Sequence, residues 1–197
     1  MAIEGKTALI TGGTKGIGYG IAEAMLADGM KVMITGRKKS SVDAAVKKLS
    51  RKYKDNIIGH AGNVTSLKDQ RSAVSTLKKQ WKKLDVLIAN AGVGHFENIE
   101  DLTPKQWSET IDVNLTGVFN SCKASIASLK KSQGYIITIA SLAGTNFFER
   151  GTAYNASKFG LVGFTQAMMM DLRQYDIKCS TITVSYTHLT LPTICSV

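Results

Sequence analysis

The chain has 197 residues, 44% hydrophobic and 20% charged, the size and make-up of one globular domain with a substantial core. Its formal net charge of +10 raises the question of nucleic acid, but Lys47-Lys48, Lys78-Lys79 and Lys82-Lys83 fall in or directly beside expected helices with no interleaved aromatic residues, the pattern of solvated faces. No basic-then-apolar leader opens the sequence, no apolar run approaches the ~18 residues of a membrane span, and Cys122, Cys179 and Cys195 have no CxxC or metal-ligand spacing, so the expectation is a cytoplasmic protein with reduced thiols, no metal, no membrane and no nucleic-acid partner.

Thr7–Thr11 reads as a buried strand, and Gly16–Gly29 as a helix with Ile17, Ile21, Ala24 and Met25 on its inner face. Lys31–Thr35 is a second strand. A charged amphipathic helix follows over 41–54, with Val42, Ala45, Val46 and Leu49 apolar. Strand three is Asn56–Ala61, helix three Leu67–Trp81 and strand four Asp85–Ala89. A helix capped by Thr103 starts at Pro104 and runs to Leu129. Tyr135–Ile139 is strand five. The helix Tyr154–Tyr175 turns Leu161, Val162, Phe164, Met168 and Leu172 inward, and Ile177–Thr183 is strand six. Strands and helices alternate, and the strands are near-continuous apolar runs, as in a parallel sheet covered on both faces. The expected fold is therefore α/β, a doubly wound parallel sheet in three layers.

The first strand leads into Thr11-Gly12-Gly13-Thr14-Lys15-Gly16-Ile17-Gly18, where the first helix begins. Glycine permits the turn and lets a pyrophosphate approach bare backbone. The helix N-terminus adds free N–H groups and partial positive charge. Alone, such a turn is equally a tight loop without ligand. Its place after strand one and before helix one is the context that a Rossmann dinucleotide site requires.

The glycine spacing resembles the TGxxxGxG form of the short-chain dehydrogenase/reductase family. Asn90-Ala91-Gly92 after strand four is similar to the family's NAG motif, Asn114 to its helix asparagine, Ser141 to its serine after strand five, and Tyr154-Asn-Ala-Ser-Lys158 to YxxxK. The resemblance covers residues 1 to about 183. In general appearance it is strongest to 3-oxoacyl-carrier-protein reductases. It implies a nicotinamide cofactor held by Gly12, Thr14, Lys15, Gly16, Ile17, Gly18, Asn90, Ala91 and Gly92, with Asn63-Val64 at the adenine and Tyr154 and Lys158 at the nicotinamide ribose. Asn63 stands where the family usually has aspartate. It still accepts a hydrogen bond and can also donate one.

Gly36 ends strand two where an acid would bind the ribose 2′-OH, and Arg37 follows. Arginine grips a phosphate bidentately and Lys15 adds a point charge, so NADP is expected over NAD. The plainer alternative is that Arg37 and Lys38 are ordinary solvated charges.

A tyrosine, with an ordinary pKa near ~10, needs a cation beside it to give up a proton at neutral pH. Tyr154 and Lys158, four apart on a helix, share one face. Ser141 can donate to the same substrate oxygen. By resemblance, Asn114 holds a water linking Lys158 to solvent. The set points to reduction of a ketone or 3-oxoacyl carbonyl to an alcohol. His95 and Phe96, and Asn146, Phe147 and Phe148, are candidates for the substrate wall, and Met168-Met169-Met170 reads as helix packing. The resemblance also implies a homo-oligomer built on helices over about 104–130 and 152–175, with Val118, Phe119, Leu161, Phe164 and Met168 contributing apolar surface.

At the C-terminus Val184-Ser185 stands where relatives have Pro-Gly. The expected division is a cofactor domain over 1–183, its sheet truncated after strand six, and a non-family tail over 184–197, foreign or frameshifted. On that reading the chain is inactive or nearly so. The alternatives to an enzyme are an inactive fragment and a nucleotide-binding module without turnover.

Overall fold

The apolar runs form strands because both their faces are covered. In the computed structural model, which describes residues 3–185, β1 (Thr7–Ile10) is buried at every position. Around it lie β2 (Lys31–Gly36), β3 (Ile57–Ala61), β4 (Val86–Ala89), β5 (Tyr135–Ser141) and β6 (Lys178–Val184). Among the described residues they make one six-stranded parallel sheet in the order β3-β2-β1-β4-β5-β6. Val184 closes β6 opposite Ser141. Residues 186–197 of the expected tail lie outside the described residues.

Successive residues of β1 point to opposite faces. Ala8 and Ile10 join Ile34 and Ile88 against α1 (Gly16–Ala27) and α2 (Lys39–Tyr53), through Ala22, Leu26, Ala45 and Leu49. Leu9 joins Met33, Leu87 and Ile136 on the other face. There α3 (Leu67–Trp81), α5 (Gly117–Ser132) and α6 (Thr152–Leu172) supply Leu77, Leu129, Leu161 and Leu172. These are the expected three layers.

Three local expectations are corrected. The inner face of α1 is Gly18, Ala22 and Leu26; Ile21 and Met25 are half-buried, and Ile17 and Ala24 are exposed. Gly18 faces inward because the helix start presses close on the glycine loop, and that rotation turns Ile17 toward the crevice. The helix expected over 104–129 runs unbroken over 104–132 but carries a π turn, Asp112–Thr116, between α4 (Pro104–Ile111) and α5. α4 starts on a full capping box, Thr103 with Gln106. Of the three methionines only Met168 packs; Met169 and Met170 are exposed, because α6 buries a narrow stripe against the sheet.

The order reverses between β1 and β4, and a crevice opens at the carboxyl ends of those strands. Thr11 ties its two sides. Its Oγ1 accepts from the Asn90 N–H at 3.0 Å and from the Ala91 N–H at 3.1 Å.

Candidate active site

A cavity of about 860 Å³ occupies this crevice. Its walls include every residue expected at the cofactor: Gly12, Thr14, Lys15, Gly16, Ile17, Gly18, Arg37, Asn63, Val64, Asn90, Ala91 and Gly92. Ser141, Tyr154 and Lys158 line the same space, whereas Asn114 lies behind it, fully buried.

The glycine loop is shaped by close approach. Gly12 has φ +66°, and a Cβ there would stand 2.9 Å from Ala91 Cα. A Cβ on Gly18 would stand 2.5 Å from the Gly12 carbonyl oxygen. The Asn90 side chain braces the loop, its Nδ2 donating to the carbonyls of Thr11 (3.0 Å) and Gly12 (3.1 Å). No side chain caps the first turn of α1, so its backbone N–H groups are not taken up by a cap. A bare loop ending in an uncapped helix start is a cradle that fits a pyrophosphate.

Farther along, the turn after β3 is held by Asp69, which accepts from the Asn63 N–H at 2.9 Å and from Ser66 Oγ at 3.0 Å. The Asn63 N–H, then the Ser66 hydroxyl, pull the Asp69 carboxyl below its ordinary range. Arg37 is exposed at the end of β2. Its guanidinium reaches Glu109 on α4 at 3.5 Å, and the other oxygen of Glu109 meets His95 Nε2 at 3.1 Å. His95, a candidate for the substrate wall, is therefore engaged with α4 and does not line the cavity.

At the other end, Ser141 sits where β5 ends, and its Oγ accepts from the Ala143 N–H at 3.2 Å. Tyr154 lies in the first turn of α6. Its ring stands 5.3 Å from that of Phe96, which in turn is 6.0 Å from Phe148. Phe147 and Phe148 also line this end, with Asn146. Lys158, one turn beyond Tyr154, points its Nζ to 5.7 Å from the Tyr154 ring centroid. That Nζ donates to the Ile139 carbonyl at 2.9 Å. Lys158 is buried, and burial pulls its ammonium pKa down from the ordinary 10.5 to about 8.

Asn114 joins these parts. Its Oδ1 accepts from the Val93 N–H at 2.8 Å, and its Nδ2 donates to the Val93 carbonyl (2.8 Å) and to Ser157 Oγ (3.0 Å). Ser157 Oγ then donates to the Tyr154 carbonyl at 2.7 Å. Asn155 was not singled out from sequence, yet it holds the loop after Ser141. Its Nδ2 donates to the carbonyls of Ala143 (2.8 Å) and Asn146 (2.7 Å). Thr11, Ser157 and Glu109 were missed as well. Asn155 and Ser157 carried a hint, because they fill the interior of Tyr154-Asn-Ala-Ser-Lys158, and Thr11 another, because it opens the glycine motif; Glu109 carried none.

The buried Lys158 has a consequence for stability. Unfolding restores its pKa from about 8 to 10.5, so between those values the unfolded chain binds the extra proton. Stability from this residue therefore rises with pH across that window; below it both states are protonated and the contribution is flat. Urea unfolding of wild type and Lys158→Met should show the wild type gaining relative to the variant between pH 8 and 10. A constant difference would remove burial as the cause.

The family model described as short chain dehydrogenase matches residues 6–192. The chain is 32% identical over 183 residues to a 3-oxoacyl-[acyl-carrier-protein] reductase of Vibrio cholerae, covering 92% of this chain and 73% of that protein. A metagenomic short-chain oxidoreductase solved with NADP superposes with a TM-score of 0.86 at 29% identity, covering 93% of this chain and 83% of that one. A short-chain dehydrogenase/reductase from Burkholderia phymatum, solved with NAD, superposes with a TM-score of 0.89 at 25% identity, covering 94% and 67%. Sheet order, glycine cradle and the Tyr154–Lys158 pair stand together with a family match over nearly the whole chain, and the protein belongs to the short-chain dehydrogenase family.

Proposed function

We propose that this chain is an NADP-dependent oxidoreductase that interconverts a carbonyl and an alcohol, with Tyr154 handling the proton. The observation that carries this reading is the single cavity shared by the glycine cradle, Ser141, Tyr154 and Lys158. The nicotinamide cofactor, when bound, supplies the hydride. Gly12, Thr14, Lys15, Gly16, Ile17 and Gly18 would hold its pyrophosphate, and Asn63 and Val64 its adenine. Ala91 and Gly92 floor the crevice, and Asn90 keeps the loop in shape.

Tyr154 delivers its phenolic proton to the developing alkoxide, and Ser141 donates a hydrogen bond to the same oxygen. Lys158 stabilises the phenolate left behind, as an opposite charge at short range does. Every polar atom of the Asn114 side chain is engaged, so Asn114 serves as a positioning residue, and a water linking Lys158 to solvent would rest on the backbone of the π turn. At the substrate end Phe96, Leu142, Phe147 and Phe148 form an apolar wall, which favours ketones or 3-oxoacyl groups with an apolar arm. Phe119 on α5 and Phe164 on α6 make an edge-to-face pair at 6.4 Å, with Phe119 47% exposed. We assign this outer face to the contact of a homo-oligomer; Val118, Leu161 and Met168, expected to add apolar surface to it, are instead buried in the core against the sheet.

The test joins cofactor and turnover. Against the expectation of an inactive chain drawn from residues 184–197, wild type should oxidise NADPH with members of a panel of apolar ketones and 3-oxoacyl thioesters, and should bind NADPH more tightly than NADH. Arg37→Ala should weaken NADPH binding by ~1.5 kcal/mol, about ten-fold. That is the low end for a charged contact, because Arg37 is exposed and already paired. NADH binding should stay unchanged. Equal losses for both cofactors would sink the 2′-phosphate assignment.

A further inference from the structure

We propose that Glu109 is a specificity-determining residue for the cofactor: a built-in anion that occupies Arg37 and competes with a 2′-phosphate for it. This rests on the NADP reading above. Arg37, which lines the cavity, follows β2, and Glu109 lies on α4, 72 residues away in sequence, so their contact ties two separate elements together. Glu109 is held from two sides. One oxygen meets Arg37 Nη1 at 3.5 Å and the other His95 Nε2 at 3.1 Å. Its helix is fixed at the start by the Thr103–Gln106 capping box and runs on into the turn that carries Asn114, itself tied to Val93 and Ser157. The carboxylate therefore sits on a braced element and not on a loose loop.

With NADH bound, nothing on the ribose challenges the Arg37–Glu109 pair. With NADPH bound, the phosphate needs the same guanidinium and also meets the negative charge of Glu109. Both effects act only against the phosphorylated cofactor. The pair is 63% and 38% exposed, so its strength lies in the modest range of surface ion pairs. Glu109 thus narrows a preference that Arg37 and Lys15 create, leaving a chain that prefers NADPH but accepts NADH. His95 takes part by fixing the carboxylate.

The experiment is titration of the full chain with NADPH and NADH, followed by nicotinamide fluorescence, for wild type, Glu109→Gln, Arg37→Ala and the double variant. Glutamine keeps the size and an oxygen for His95 while removing the charge. Glu109→Gln should tighten NADPH about two- to five-fold and leave NADH unchanged. The gain should shrink at high salt, and in the Arg37→Ala background it should be less than half as large. An unchanged ratio of the two affinities in Glu109→Gln, with Arg37→Ala still selective against NADPH, would overturn the role of Glu109 alone. Equal weakening of NADPH and NADH in Arg37→Ala, or weakening of neither, would overturn the 2′-phosphate reading, and this inference with it.

Discussion

Tyr154→Phe should lower turnover by at least ~10²-fold while leaving NADPH affinity within about two-fold. The substitution deletes one hydroxyl and keeps the ring. The ring contact to Phe96 at 5.3 Å depends on the ring, as does the approach of Lys158 Nζ at 5.7 Å. The fold and the aromatic wall should therefore persist, and the loss should appear in kcat. Phenylalanine cannot protonate an alkoxide, and Ser141 can only donate a hydrogen bond to it without an equivalent route for supplying a proton. The measurement is steady-state NADPH oxidation with the best ketone of the panel, paired with fluorescence titration of NADPH. Turnover near that of wild type would show that another group delivers the proton. A parallel collapse of cofactor affinity would mean that Tyr154 acts mainly by shaping the site.

The layering of this fold is written in its strands. Leu9 and Ile10 both read as buried, and the structure sends them to opposite cores. That is possible only with helices on both sides of the sheet. The glycine cradle was equally visible, because glycines at 12, 16 and 18 mark backbone that other groups approach or turn sharply. The rotation of α1 was not visible. Periodicity counts Ile17, Ile21 and Met25 as the inner stripe, but Gly18 must face the Gly12 carbonyl, which a Cβ there would meet at 2.5 Å, and that turns Ala22 and Leu26 inward behind it. The π turn at 112–116 was also hidden, since Asp-Val-Asn-Leu-Thr carries no helix breaker and the widened turn is held by tertiary bonds of Asn114. Glu109 illustrates the same limit. A glutamate on an amphipathic helix reads as a solvated charge until the fold brings Arg37 to it from another strand.

Gly18→Ala should cost NADPH affinity at least ~100-fold, while Gly20→Ala, on the same helix, should not weaken binding at all. Propensity alone predicts that both substitutions stabilise α1, by up to ~1 kcal/mol, because alanine is the better helix former. Space decides otherwise for one of them. A Cβ at Gly20 meets nothing within 4 Å. A Cβ at Gly18 would stand 2.5 Å from the Gly12 carbonyl oxygen and would crowd the Asn90 amide that braces the same carbonyl. Those neighbours are backbone and a doubly bonded side chain, so they yield only if the loop moves. Overpacking of this kind costs ~1–3 kcal/mol, which cancels or exceeds the helix gain. The larger effect falls on the ligand. The loop that must move is the one that would present its N–H groups to the pyrophosphate, and each charge-assisted bond is worth ~1.5–3 kcal/mol. Losing two gives at least ~3 kcal/mol, hence the hundred-fold figure. Because the pyrophosphate is common to both cofactors, NADH should lose as much as NADPH, which separates this effect from that of Arg37. Thermal melts and titrations of the two variants side by side provide the check. If Gly18→Ala bound NADPH like wild type, the pyrophosphate would not lie on this loop.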